Sequence, residues 1–210
     1  VTVAATSTIT GGADTATRSD NLVSYFLPAL GGVYGQVSVA PSENAVGKKY
    51  YGGRLGYAAG PLNVSVAYGQ TTVNPVLGSD KFKSLDVGAS YNLGVVKLSG
   101  YVQQNKAGKQ KLTNLYAGAS VPVAGTGELR VSYLHADADG NTATGASVDA
   151  NDANQVAVGY VQHLSKRTAL YGTLARVNNK GAATFAVAGG PTLAAGKNST
   201  GYEFGLRHSF

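Results

Sequence analysis

From Asn21 to Phe210 the chain alternates between apolar and polar positions. Leu62, Val64, Val66 and Tyr68 interleave with Asn63 and Ser65, and Leu85, Val87, Ala89 and Tyr91 interleave with Asp86 and Ser90. Leu115, Ala117, Ala119 and Val121 continue the theme, as do Leu129, Val131 and Tyr133, and Val156, Val158 and Tyr160. A period of two is that of a strand whose faces meet different surroundings. The pattern predicts eleven strands, at Asn21–Leu27, Val33–Ala40, Lys49–Ala58, Leu62–Gln70, Ser84–Tyr91, Val95–Gln104, Asn114–Val121, Glu128–His135, Gln155–Gln162, Thr168–Val177 and Ser199–Phe210. Thr168–Val177 is ambiguous in its facing, because Leu170 and Leu174 compete with Tyr171 and Val177. Val1 to Ser19 is small and polar and reads as loop.

The connections alternate in length. Pro28–Gly32, Ala59–Pro61, Asn92–Gly94, Pro122–Thr126 and Leu164–Arg167 are short. Pro41–Lys48, Thr71–Lys83, Asn105–Thr113, Ala136–Asn154 and Asn178–Asn198 are mostly longer and polar. Short turns at one end and long loops at the other are the plan of a transmembrane antiparallel up-and-down β-barrel. A strand of about ten residues tilted near 45° spans roughly 25 Å, the height of the apolar band of such barrels.

Composition agrees. Charged residues make up only 13% of the 210-residue chain, against roughly 25% in soluble domains. No apolar run reaches the ~20 residues that a membrane helix needs. Tyr is abundant, at 13 residues. On the apolar parity, Tyr57, Tyr91 and Tyr160 fall beside short turns, and Tyr51, Tyr68, Tyr133 and Tyr202 fall near long loops. Two tyrosine belts around an aliphatic band suit the two lipid–water boundaries. The chain ends on an alternating aromatic strand, with Tyr202, Phe204, Leu206, His208 and Phe210 on one parity. This stretch resembles the assembly signal of Gram-negative outer-membrane barrels. No charged-then-apolar leader precedes Val1, so the chain reads as processed or partial.

Zero Cys excludes disulfides and thiolate metal sites. The net charge is +6, but the lysines are scattered and match no nucleic-acid recognition motif. AVAGGPTLAAGKNST fails as a phosphate loop, because Pro191 stands where Gly is required and Asn198 follows Lys197. DADGN at Asp137–Asn141 fails as a calcium loop, because Val148 stands where the final Glu is needed. His135, His163 and His208 fall on different strands. No cofactor and no metal is implied.

RSDNLVSYFLPALGGVYGQV, GASYNLGVVKLSGYVQQ, GYVQHLSKRTALYG and GYEFGLRHSF resemble trimeric general porins of the betaproteobacterial, anion-selective type. The resemblance covers Thr17 to Phe210. It implies a sixteen-stranded barrel whose third loop folds into the lumen as a constriction. The eleven strands would be the sixth to the sixteenth. Residues 19–210 would then be barrel strands and loops, 1–18 the tail of the constriction loop, and the first five strands would lie outside this sequence. The chain as a whole would be part of a single barrel domain. The resemblance further implies a homotrimer in the outer membrane, with Ser199–Phe210 near the subunit interface. Its activity would be passive diffusion of small hydrophilic solutes and ions, with anions preferred.

In such a channel the chemistry is electrostatic, since wall charges concentrate the opposite ion. The polar parity places Arg54, Lys97, Arg130 and Arg207 on the wall against Asp86, Glu128 and Glu203. Glu128 and Arg130 could instead form a cross-strand ion pair with little effect on flow. Arg18 matches the constriction arginine of the family resembled. The long loops carry Lys48, Lys49, Lys81, Lys83, Lys106, Lys109, Lys111, Lys180 and Lys197. These would give a positive mouth for small inorganic and organic anions, or contacts to lipopolysaccharide phosphates. The competing readings are an autotransporter or export domain, for which no pore-threading linker is visible, and a barrel enzyme. The latter has only His135 with Asp137 and Asp139 to offer.

Overall fold

The computed structural model describes residues 19–28, 30–41, 49–72, 81–123, 125–142 and 144–210. Eleven strands form one sheet in chain order, each antiparallel to the next. They are β1 (Val23–Phe26), β2 (Val33–Ala40), β3 (Tyr50–Ala59), β4 (Leu62–Thr72), β5 (Lys81–Asn92), β6 (Lys97–Ala107), β7 (Gln110–Val123), β8 (Gly127–Gly140), β9 (Ala153–His163), β10 (Thr168–Asn179) and β11 (Ser199–His208). The up-and-down all-β architecture expected from the alternation is the one observed, with β1 and β11 as the sheet edges.

Register assigns every strand position to one of two faces. On the apolar face one ladder row runs Leu55, Val66, Val87, Val102 and Leu115. These side chains are 43–53% exposed. A continuous face of half-exposed aliphatics far exceeds the few hundred Å² of apolar patch on a soluble monomer, and marks a surface solvated by lipid. Leu170 and Leu174 share this face, which resolves the ambiguity in β10: Tyr171, Thr173 and Val177 belong to the polar face.

All seven belt tyrosines lie exposed on the apolar face. One ladder row joins Tyr57, beside the turn after β3, to Tyr133, towards the long-loop end of β8. A row that climbs from one rim towards the other is what strand tilt and stagger produce in a barrel wall.

The short turns follow from glycine chemistry. Gly60 has φ +53 and is followed by Pro61, so Ala59 pairs directly with Leu62. Gly in the left-handed region at the first of two loop positions suits a tight hairpin. The same device corrects the expectation of a long loop at Asn105–Thr113. Ala107 pairs with Gln110 across Gly108 (φ +58) and Lys109 alone. The β5–β8 strands therefore run further than the alternation suggests, and β7 and β8 reach 14 residues each. At the other extreme, β11 ends at His208 rather than Phe210, although the Ser209 amide still donates to the Arg167 carbonyl.

The polar face carries an apolar patch at its long-loop end. Phe82, Ala107, Leu112, Leu134, Ala136, Ala153 and Val177 are buried there beneath Phe185 and Val187 of the β10–β11 connection. That connection, 180–198, is apolar in its middle and folds back over the sheet instead of projecting away as a polar loop.

Candidate functional site: the polar wall

Arg54, Asp86, Lys97, Glu128, Arg130, Glu203 and Arg207 all fall on the polar face, as their parity predicts. They divide into separate groups.

The first group lies on one ladder row running Gln36, Arg54, Ala67, Asp86, Gln103 and Asn114. All of these but Asn114 line a hollow of about 360 Å³, shared with Ser38, Tyr50, Ser84 and Asn105. Five neighbouring strands contribute to it, so this face curves inward. Asp86 accepts from Gln103 Nε2 at 2.7 Å and from Ser84 Oγ at 2.9 Å. Gln103 Oε1 in turn accepts from Asn114 Nδ2 at 3.1 Å and Asn105 Nδ2 at 3.3 Å. Donors from two neighbours hold the Asp86 carboxylate against the wall and partly compensate its charge. Arg54 has no carboxylate partner among the described residues. Its guanidinium instead stacks 5.5 Å from the centre of the Tyr34 ring. The Tyr34 hydroxyl donates to Asn63 Oδ1 at 2.6 Å, which fixes the ring beneath the cation.

Small residues make room for this arrangement. The Tyr34 ring covers Gly56, where a Cβ would collide with it. Tyr50 covers Gly52 and Gly69 in the same way, and Tyr171 covers Gly205. The aromatic rings thus lie flat along the wall instead of standing into the space before it, as aromatic cover of strand glycines generally does. The sequence reading missed these polar-face tyrosines; the signal was Tyr and Gly sharing one parity on adjacent strands.

The second group lies on a row through Lys97, Ser120, Arg130, Gly159, Thr173 and Glu203. Arg130 Nε donates to Glu128 Oε1 at 2.7 Å and Arg130 Nη2 to Glu128 Oε2 at 3.2 Å. The ion pair is two-pronged, and it forms within one strand, between residues two apart, where a cross-strand pair was the alternative expected. Lys97 and Arg207 have no carboxylate partner among the described residues.

Tyr202, Phe204, Leu206 and His208 lie on the apolar face of β11. Phe204 is 81% exposed, His208 Nδ1 lies 2.9 Å from Thr168 Oγ1, and Phe210 follows the strand. His135 and Asp137 also lie on the apolar parity of β8. His135 Nδ1 is 2.8 Å from Asn154 Oδ1, and Asp139 pairs with Lys111 at 2.6 Å. Arg18 and Lys48 lie outside the described residues.

The folded-back connection is latched by Asn179. Its Nδ2 donates to the carbonyls of Phe185 at 2.8 Å and Lys197 at 2.6 Å, and its Oδ1 accepts from the Phe185 amide at 3.1 Å. Val187 N donates to Ser199 Oγ at 3.3 Å, and Ala182 N to Asn151 Oδ1 at 2.7 Å. The bonds seat Phe185 and Val187 on the apolar patch, so this segment takes up space on the polar side of the sheet.

A lipid-facing apolar side, a polar inner wall and up-and-down connectivity together define a membrane barrel wall. The chain matches the Gram-negative porin family over residues 1–182 and belongs to that family. It is 37% identical over 219 aligned positions to outer membrane porin protein 32 of Delftia acidovorans, covering 95% of this chain and 59% of that protein. Its structure is similar to that of an anion-selective porin from Comamonas acidovorans, with a TM-score of 0.80 and 34% identity over 96% of this chain and 63% of that one. The trimer form of OmpT from Vibrio cholerae shares the fold, at a TM-score of 0.68 and 13% identity, covering 94% of this chain and 67% of that one. The chain thus spans about six tenths of the length of the first two relatives. Family membership assigns it to the outer membrane of a Gram-negative bacterium.

Proposed function

We propose that this chain supplies most of the wall of a water-filled, non-enzymatic diffusion channel for small hydrophilic solutes and ions, with anions preferred. The observation that carries this reading is the polar face itself. It carries charged side chains on β3, β5, β6, β8 and β11, while the opposite face presents exposed aliphatics suited to lipid. A sheet so divided has water on one side and hydrocarbon on the other.

The wall charges support the sign of the selectivity. Glu128 is neutralised by Arg130, and Asp86 is held by Gln103 and Ser84. Among the described wall residues, Arg54, Lys97 and Arg207 then stand against the charges of Asp86 and Glu203, a balance of one positive charge. Cations in a narrow passage attract anions. Arg18 would add to them at the constriction, with residues 1–18 as the tail of the constriction loop and 19–210 as barrel wall. The relative from Comamonas is itself described as anion-selective. β1 and β11 would be completed by further strands of the same barrel, since open edges are prohibitive in lipid. Self-association into a homotrimer, with the β11 side near the subunit contact, fits the trimer form described for the Vibrio protein.

Swelling of liposomes containing the full-length protein tests the channel. Uptake of small sugars that falls steeply with solute size is the expected result. Swelling no faster than in protein-free liposomes, with the protein folded, would overturn it.

A further inference from the structure

On the apolar face, β5–β7 carry lysines that oppose one another. Lys83 pairs in register with Lys106, Lys106 with Lys111, and Lys111 with Asp139. Lys106 therefore has a lysine directly opposite on both sides. Directly opposed side chains have Cβ atoms about 5 Å apart, and like charges there are destabilising. Asp139 offsets one of the three, at 2.6 Å from Lys111. Among the described residues no carboxylate pairs with Lys83 or Lys106, and both are exposed.

The height of this row is fixed by what lies below it on the same parity. The last large aliphatics are Leu85 on β5, Val102 on β6 and Leu115 on β7, each 43–49% exposed. Lys83 is one same-face step beyond Leu85, and Lys106 and Lys111 are two steps beyond Val102 and Leu115. At about 3.3 Å per residue and a tilt near 45°, these steps lift the ammonium groups roughly 5 to 10 Å above the hydrocarbon boundary. That is headgroup depth. The row also continues through Gln70 to Tyr51 of the long-loop tyrosine belt. The sequence left these lysines open between charging the mouth of the passage and meeting lipopolysaccharide phosphates; register turns them to the lipid side.

We propose that Lys83, Lys106 and Lys111 form a site for the phosphate groups of a phosphorylated glycolipid, lipid A, of the outer leaflet. The acyl chains would lie along Leu85, Val102 and Leu115, and a phosphate would bridge the opposed ammonium groups. This rests on the outer-membrane assignment and does not depend on the selectivity of the channel.

The test uses full-length protein refolded in zwitterionic detergent, as wild type and as the double variant Lys83→Gln with Lys106→Gln. Thermal unfolding is followed during titration with diphosphorylated lipid A, with its dephosphorylated counterpart and with inorganic phosphate. Diphosphorylated lipid A should raise the wild-type midpoint, and the variant should need at least about tenfold more to match it, since each phosphate–lysine contact is charge-assisted. The dephosphorylated lipid should act equally on both proteins, and millimolar phosphate should do nothing. Without lipid the variant should be at least as stable as wild type, because the opposed like charges are gone. A second variant, Asp139→Asn, releases Lys111 and should tighten binding of diphosphorylated lipid A. An equal response of wild type and double variant to that lipid would overturn the site. So would a wild-type shift by inorganic phosphate at the same concentration, which would make it a small-anion site. Conductance of the same preparations separates the two claims: channels with no lysine-dependent lipid response refute this site alone.

Discussion

Arg130 and Glu128 sit two residues apart on one strand and share two hydrogen bonds, of 2.7 and 3.2 Å. The pair removes one cation and one anion from the wall. Neutralising Glu128 should release the Arg130 charge, and neutralising Arg130 should release the carboxylate. Glu128→Gln is therefore expected to raise the chloride-to-potassium permeability ratio by about 1.5- to 3-fold, and Arg130→Gln to lower it by a similar factor. Reversal potentials of the two variants check this. The Arg130 side chain is 55% exposed, so the stability change should stay below about 1 kcal/mol.

Arg54 and Tyr34 make a different prediction. The cation lies over the ring, and the ring is held by Asn63. Arg54→Ala should reduce single-channel conductance at low salt by about a third to a half, and hardly at all in 1 M KCl, where the Debye length is about 3 Å. Arg54→Lys keeps the charge but loses the planar stack, so it should preserve the salt dependence while lowering the thermal midpoint slightly. Conductance across a KCl series separates the two substitutions.

Gly56 is the floor under Tyr34. A Cβ at this position would collide with the ring. Gly56→Ala should push Tyr34 off the wall, costing about 1 to 3 kcal/mol of stability and breaking the hydroxyl bond to Asn63. Denaturant unfolding measures the stability loss, and comparison with Tyr34→Phe, which lacks the hydroxyl, isolates the bond to Asn63.

Asn179 holds the β10–β11 connection against the wall through three hydrogen bonds. Asn179→Ala should lower the free energy of local opening by about 2 to 4 kcal/mol, at roughly 1 kcal/mol per bond. Amide exchange at Phe185 and Val187 should accelerate while exchange in the β9 ladder stays slow. Freed from the patch, the segment should also make single-channel current noisier.

The strand plan was legible because alternation survives even where residue size varies. Tyr57, Tyr91 and Tyr133 could be placed because the apolar parity stays in phase from one turn to the next. The long-loop ends were not legible. Lys106 and Lys111 look like loop residues, and nothing apolar on the lipid-facing parity marks β6 and β7 as continuing past Gln104 and before Asn114. Only Gly108, with its left-handed φ, betrays the tight hairpin. The apolar patch was hidden for other reasons: Leu134 sits on a parity read as polar, Leu112 in a stretch read as a connection and Val177 in the strand of ambiguous facing, and their cover, Phe185 and Val187, lies in a stretch read as loop. The wall charges were placed on the right face, but parity alone could not show that Arg130 turns to Glu128 and Arg54 to Tyr34, since both choices are made by side-chain reach along and across strands.

A positively biased, water-filled passage fixes the sign of the reversal potential of the full-length protein in a planar bilayer under a KCl gradient. A stable conductance whose reversal potential has the sign of chloride preference, weakened by Arg54→Ala, is the predicted result. Potassium preference in the wild-type protein would mean that Glu203 and Asp86 outweigh Arg54, Lys97 and Arg207 along the wall, and would refute a positive bias.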